Sequence, residues 1–410
     1  MRHRSSNKWK ILAGTRPRLH IVPQVPLMPF LFETVRRIEC GPGAAKKLGA
    51  LARELSCRRI LVVTDSGIKA SSLLDTPLRM LAEEMEHVSV FSEVLADPPE
   101  EVIKAAVSRA RNERIDGIVG FGGGSSLDTA KLVSLLSQSP QELESIYGIG
   151  LAKGARLPLI LVPTTAGTGS EATPIAIVTT PTKEKKGVVA PQLLPDLALL
   201  DPELTLTIPP NVTAATGIDA MVHAIEAHST KHLKNPLSDA LAIQALRLLH
   251  GNLRRVLADG RDVVGREEML KGALMAGMAF ANAPCAAVHA LAYPLGAHYH
   301  LPHGLCNAIM LPHVLDFNIA GYPGLYAELG EAILPQRAGR TQEDASLVFV
   351  NEMRRLVSDA GLPLRLSEVG VPKSALPKLA KDAMKIDRLL RNNPREVTHK
   401  DALDLYTQAL

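Results

Sequence analysis

The chain has 410 residues, 46% hydrophobic and only 3% aromatic, with 46 basic against 42 acidic side chains. That length fits two domains better than one compact core, and the core must rest on Leu, Ile, Val and Ala. The near-balanced charge gives no reason to expect nucleic acid or a membrane surface as a partner, no apolar run approaches the roughly 20 residues of a membrane span, and four scattered cysteines without a CxxC pair argue against a disulfide framework or zinc ribbon. Isolated thiols of this kind fit a reducing, cytoplasmic compartment.

Residues 1–31 carry six basic side chains (Arg2, Arg4, Lys8, Lys10, Arg16, Arg18) and no acid, and are interrupted by Pro17, Pro23, Pro26 and Pro29. The segment resembles a transit peptide; the plainer expectation is an unstructured extension, with the natural start near Met28. From Phe32 onward, strand and helix patterns alternate. Short apolar, β-branched runs at 59–66, 87–95, 115–122 and 157–164 read as strands, and 74–86 and 100–114 read as helices. Such alternation predicts a parallel, Rossmann-like sheet over 32–208, with ligands bound at the carboxyl ends of its strands. After Pro209-Pro210 the strand patterns stop, and Ala- and Leu-rich stretches at 211–230, 236–257, 265–282, 341–360 and 397–409 predict an all-helical domain over 209–410. The fold class is therefore α/β followed by all-α.

Two loops carry small and polar residues directly after predicted strands. The first, GFGGGSSLDTAK from Gly120 to Lys131, leads into a helix. Glycines let the backbone approach a phosphate, and the helix N-terminus offers free N–H groups and a positive dipole end. The match to GxGxxG is weak by itself, because Ser125 occupies the third glycine position. The second loop, PTTAGTGSE from Pro163 to Glu171, carries Thr164, Thr165 and Thr168. Two such loops after strands of one sheet line the same edge, which favours a nucleotide along it. Asp65 ends an earlier strand; a carboxylate there accepts ribose hydroxyls and repels a 2′-phosphate, favouring NAD over NADP.

Nine of the 13 histidines fall between His223 and His313. Asp219 and His223 are i and i+4, so on a helix their side chains share a face and can hold one ion. His289 and His303 lie further on, separated by Pro294, Gly296 and Pro302. One carboxylate and three imidazoles suit a borderline divalent ion, Fe²⁺ or Zn²⁺. Single histidines are more often core or surface residues, and His228, His232, His250, His298, His300 and His313 keep that reading. Neither HExxH nor HxxEH is present.

These segments, with AATGIDAMVHAIEA at 214–227, HGLCNAIMLPHV at 303–314 and NPR at 393–395, resemble the iron-containing (group III) alcohol dehydrogenases, lactaldehyde reductase among them. The resemblance runs from about Phe32 to Leu405. It implies an NAD-binding domain and a helical domain with the active site between them, acting on a small alcohol or aldehyde, in a homodimer or larger homo-oligomer. It implies that Gly123, Gly124, Ser125 and Ser126 carry the pyrophosphate, that Thr164, Thr165 and Thr168 line the rest of the nucleotide site, and that Asp65 selects NAD. Lys186 would lie near the nicotinamide ribose, and Asp219, His223, His289 and His303 would be the metal ligands. One position departs from many members: Tyr293 stands where a histidine is common, four residues after His289. A phenol does not shuttle protons near neutral pH as an imidazole does. Tyr293 also resembles the hydroxyacid–oxoacid transhydrogenase branch, so that activity stays open as an alternative. So do a dehydroquinate-synthase-like lyase on the same fold and a non-catalytic nucleotide- or metal-binding module.

Overall fold

A computed structural model of the chain describes residues 29–334 and 341–410. Most of the basic N-terminal extension lies outside the described residues. Phe32–Leu410 forms one compact unit.

Six parallel strands build the main sheet in the order β1-β9-β6-β4-β2-β3. They are β1 (Ile38–Cys40), β2 (Arg59–Asp65), β3 (His87–Val94), β4 (Gly117–Gly122), β6 (Leu159–Pro163) and β9 (Leu197–Leu200). The central strands β4 and β6 are buried at every position, as expected where helices cover both faces of a parallel sheet. Helices α1 (Leu48–Glu54), α2 (Ser66–Ala70), α3 (Asp75–Glu84), α4 (Glu100–Asn112) and α5 (Gly124–Gln138) supply that cover. Register brings Gly122 beside Pro163, and Val63 beside Gly120. The carboxyl ends of β2, β4 and β6 therefore form one rim, where Asp65, the glycine loop and the threonine loop meet.

A second sheet, which the sequence pattern did not predict, joins β5 (Gly148–Ile149), β8 (Lys185–Val189) and β7 (Ile175–Thr179). Strands β7 and β8 form an antiparallel hairpin that pairs Ala176 with Val188 and Val178 with Lys186.

From Pro210 the described chain is helical: α6 (Pro210–Ser229), α7 (Pro236–Ala258), α8 (Val263–Asn282), α9 (Ala287–Tyr299), α10 (His303–Ile319), α11 (Pro323–Ile333), α12 (Gln342–Asp359), α13 (Leu376–Ala383), α14 (Asp387–Leu390) and α15 (His399–Gln408). The five helices expected from periodicity all occur, with ends shifted by no more than two residues. Helix α6 is the axis of the bundle and is buried on nearly every side, which its run of Ala and Gly permits. No single described helix is long and apolar enough to cross a membrane.

The two halves touch backbone to backbone. A Cβ on Gly277 of α8 would lie 2.7 Å from the carbonyl oxygen of Gly169, and one on Gly169 would lie 2.6 Å from the Gly277 Cα. Gly169 also has φ of +59°, which favours glycine. Around this contact, Leu270 and Leu274 of α8 pack on Ala172, Ala198 and Leu200 of the sheet half.

Candidate active site

A cavity of about 300 Å³ opens between the sheet rim and the bundle. Gly124, Ser125 and Thr168 line it on one side, and Asp219, His223, His289, Tyr293 and His303 on the other.

On the rim side, Gly122 (φ +144°) turns the chain from β4 into α5. A Cβ on Gly124 would lie 2.7 Å from the Thr168 methyl, and one on Gly123 would lie 3.7 Å from Thr165 Oγ1. The two loops are thus in contact, and the α5 N-terminus is left open to an anion. Thr164 and Ser126 are buried beneath this surface; the Thr164 N–H donates to the Gly122 carbonyl at 2.9 Å. Asp65 stands next to the turn and caps α2 by accepting from the Ile68 N–H at 2.9 Å. Lys186 does not line this cavity; its side chain is 46% exposed and pairs with Glu184 at 3.0 Å. Its neighbour Lys185, facing the opposite way on the strand, lines the cavity and is ion-paired with Asp97.

On the bundle side, α6 presents Asp219 and His223 on one face. Gly304 lets the start of α10 press against α6, since a Cβ there would lie 2.3 Å from the Ala215 carbonyl oxygen. This brings His303 Nε2 to 3.6 Å from Asp219 Oδ1. His223 stacks between Phe280 and His289, with ring centroids 4.3 and 4.7 Å away. One potential ligand atom from each of Asp219, His223, His289 and His303 falls within a 4.8 Å group.

The surroundings fit a cation. The Asn307 amide nitrogen lies 2.6 Å from Asp219 Oδ1 and 3.2 Å from Nε2 of both His289 and His303. A carboxylate oxygen and two imidazole nitrogens thus crowd one amide nitrogen. Among the described residues His223 Nδ1 is buried with no partner, an expensive state that an ion bound to that nitrogen would relieve. Burial pushes the His223 imidazole down to about 3, so it is neutral and ready to donate a lone pair. Burial would raise the Asp219 carboxyl, but His303, His223 and His289 outweigh it and hold that group low. For His289, burial opposes the proton, yet Cys285 and Glu226 hold the imidazole well above its usual range. A divalent ion at Nε2 would displace that proton.

Glu226 escaped the sequence reading. Its carboxylate accepts from His289 Nδ1 at 2.6 Å, from the Ala286 N–H at 2.9 Å and from the Val288 N–H at 2.6 Å. It therefore caps α9 from another helix and orients His289 so that Nε2 faces the site. The only hint in the sequence was an acid three residues after His223. Asn307, Asp97, Lys185 and Arg388, all beside the site, were also missed.

Family models describe both halves of the chain. "Iron-containing alcohol dehydrogenase" matches residues 35–202, and "Fe-containing alcohol dehydrogenase family, C-terminal" matches 213–410. Long-chain-alcohol dehydrogenase 1 of Geobacillus thermodenitrificans is 39% identical over 372 residues, 90% of this chain and 94% of the relative. The crystal structure of a 1,3-propanediol oxidoreductase superimposes with a TM-score of 0.91 at 34% identity, covering 93% of this chain and all of that one. A sulfoacetaldehyde reductase from Bifidobacterium kashiwanohense, solved in complex with NAD⁺, gives 0.84 at 25% identity over 93% of this chain and 99% of its own. These relatives are alcohol and aldehyde oxidoreductases and lend no support to the lyase alternative. The chain is an oxidoreductase with alcohol dehydrogenase activity and belongs to the iron-containing alcohol dehydrogenase family.

Proposed function

We propose that the cleft interconverts a small alcohol and its aldehyde or ketone with NAD(H), using Fe²⁺, or Zn²⁺ in its place, held by Asp219, His223, His289 and His303. The observation that carries this reading is the convergence of those four side chains opposite a glycine-lined helix N-terminus, in one cavity. A divalent ion there would act as a Lewis acid on the substrate oxygen, while nicotinamide carries the hydride. The chain's own groups supply position and exclude water. Gly123 and Gly124 admit the pyrophosphate to the α5 N-terminus, with Ser125, Thr165 and Thr168 beside it, and Asp65 faces the adenosine ribose. Phe280 and Leu301 give the cavity apolar wall. Tyr293, its ring 5.7 Å from that of His303, offers a hydroxyl toward a substrate oxygen.

In this proposal residues 32–208 form the cofactor domain and 209–410 the metal domain. The protein works as a homodimer or larger homo-oligomer in a reducing cytoplasm, which sedimentation and localisation measurements test. The activity itself is tested by stripping the protein with chelator, reloading it anaerobically with Fe²⁺ or Zn²⁺, and following NADH oxidation by short aldehydes. The expected result is metal-dependent turnover that His289→Ala abolishes while NADH still binds. Full turnover by metal-free protein would overturn the proposal.

A further inference from the structure

Two permanent cations line the cavity among the described residues, Lys185 and Arg388. Lys185 is neutralised by its ion pair with Asp97. Arg388 is different. Among the described residues its guanidinium has neither an ion-pair partner nor a hydrogen-bond acceptor, although Arg391, three residues on, is paired with Asp387.

The backbone that carries Arg388 is fixed. Leu389 and Leu390 anchor the short helix α14 in the bundle core. Asn392 donates from one amide nitrogen to the Arg388 carbonyl and to the Cys285 carbonyl, both at 2.9 Å. Arg388 is thereby tied to the start of α9, the helix that carries His289 and Tyr293. The Arg388 guanidinium carbon lies 5.9 Å from the centre of the Tyr293 ring, and that ring is 5.7 Å from the ring of His303. Metal-ligand cluster, phenol and guanidinium thus follow one another along a single wall. A substrate whose carbonyl sits at the ligand cluster has room for a few carbons before it reaches the cation.

Building on the oxidoreductase reading above, we infer that Arg388 with Tyr293 forms an anion-binding end of the substrate pocket, and that the preferred substrate is a short aldehyde or alcohol bearing a carboxylate or sulfonate on its far end. The planar guanidinium takes such a group by two parallel hydrogen bonds, and the phenol hydroxyl donates a third. Lysine at this place would offer a point charge without the fork.

The test compares kcat/KM for 4-oxobutanoate with that for butanal, a neutral aldehyde of equal chain length, in the NADH-loaded, metal-reconstituted protein. Wild type should favour 4-oxobutanoate. Arg388→Met should lower the ratio by about ten- to a hundredfold, and Arg388→Lys by less. Sulfoacetaldehyde run in parallel separates the two head groups, and a response by either one supports the site. Calorimetric titration of succinate into the NADH-loaded protein reads the anion site without turnover; wild type should bind it and Arg388→Met should not. Succinate binding without turnover of any aldehyde would overturn the oxidoreductase reading and leave the anion site standing. Turnover with a ratio that Arg388→Met does not move, or moves only through weaker NADH binding, would overturn the anion site alone.

Discussion

Replacing Glu226 by glutamine should weaken metal binding from a distance of one residue. The carboxylate accepts three buried hydrogen bonds, from His289 Nδ1 and from the N–H groups of Ala286 and Val288. An amide has a single oxygen. If that oxygen keeps His289 and Ala286, the new NH₂ group faces the Val288 N–H, donor against donor. The loss of one hydrogen bond to a charged group, about 1.5–3 kcal/mol, should appear in stability. The His289 ring also loses the negative charge that raises its basicity, and such supporting changes cost about 10–100-fold in metal affinity, which is about 1.4–2.7 kcal/mol. Competition against a fluorescent chelator gives the Zn²⁺ dissociation constant, and urea unfolding gives the stability. Glu328→Gln is the control: it removes a 64%-exposed carboxylate paired with His228 on the far side of the same helix, and should shift stability by no more than about 0.5 kcal/mol. Equal metal affinity in Glu226→Gln and wild type would refute the role assigned to this carboxylate.

Other expectations follow from the same geometry. Asp65→Ser should relax the preference for NADH over NADPH while a serine still caps α2; equal use of both cofactors by the wild type would remove Asp65 from cofactor selection. Gly124→Ala puts a methyl 2.7 Å from the Thr168 methyl and 3.1 Å from its hydroxyl, so NADH affinity, read by fluorescence titration, should fall at least several-fold, and an unchanged value would show the loop is not part of the nucleotide site. Metal uptake must expel the proton that Cys285 and Glu226 hold on His289. Affinity should therefore rise with pH across the neutral range, with proton release seen by calorimetry in buffers of different ionisation enthalpy; a pH-independent dissociation constant would contradict this.

The helical half was legible because its signals are local: i, i+4 spacing put Asp219 and His223 on one face, and long Ala-rich runs marked the bundle. The strand-rich half was legible where strands are central and continuously apolar, as in β4 and β6. The hairpin of β7 and β8 was missed because Lys185 and Lys186 give it a surface strand's polarity, and β1 is too short to carry a pattern. Lys185 and Lys186 show how narrow the margin is: neighbours on one strand face opposite ways, and only Lys185 lines the cavity. Glu226 and Arg388 were silent for another reason. Glu226 works on α9 some 60 residues away, and Arg388 reaches the cleft only after α10, α11, α12 and α13 intervene between α9 and α14.

The glycine pair Gly169–Gly277 divides the enzyme's freedom to change. At Gly169 the loop bearing Thr168 meets α8 backbone to backbone, and α8 also carries Phe280, which stacks on His223. A Cβ at either glycine would force the two backbones apart and so widen the spacing between nucleotide rim and metal ligands. Tyr293 and Arg388 stand on α9 and α14, outside this weld. Lineages of this fold can exchange one substrate for another by altering that outer wall, while the distance over which hydride must travel stays constant.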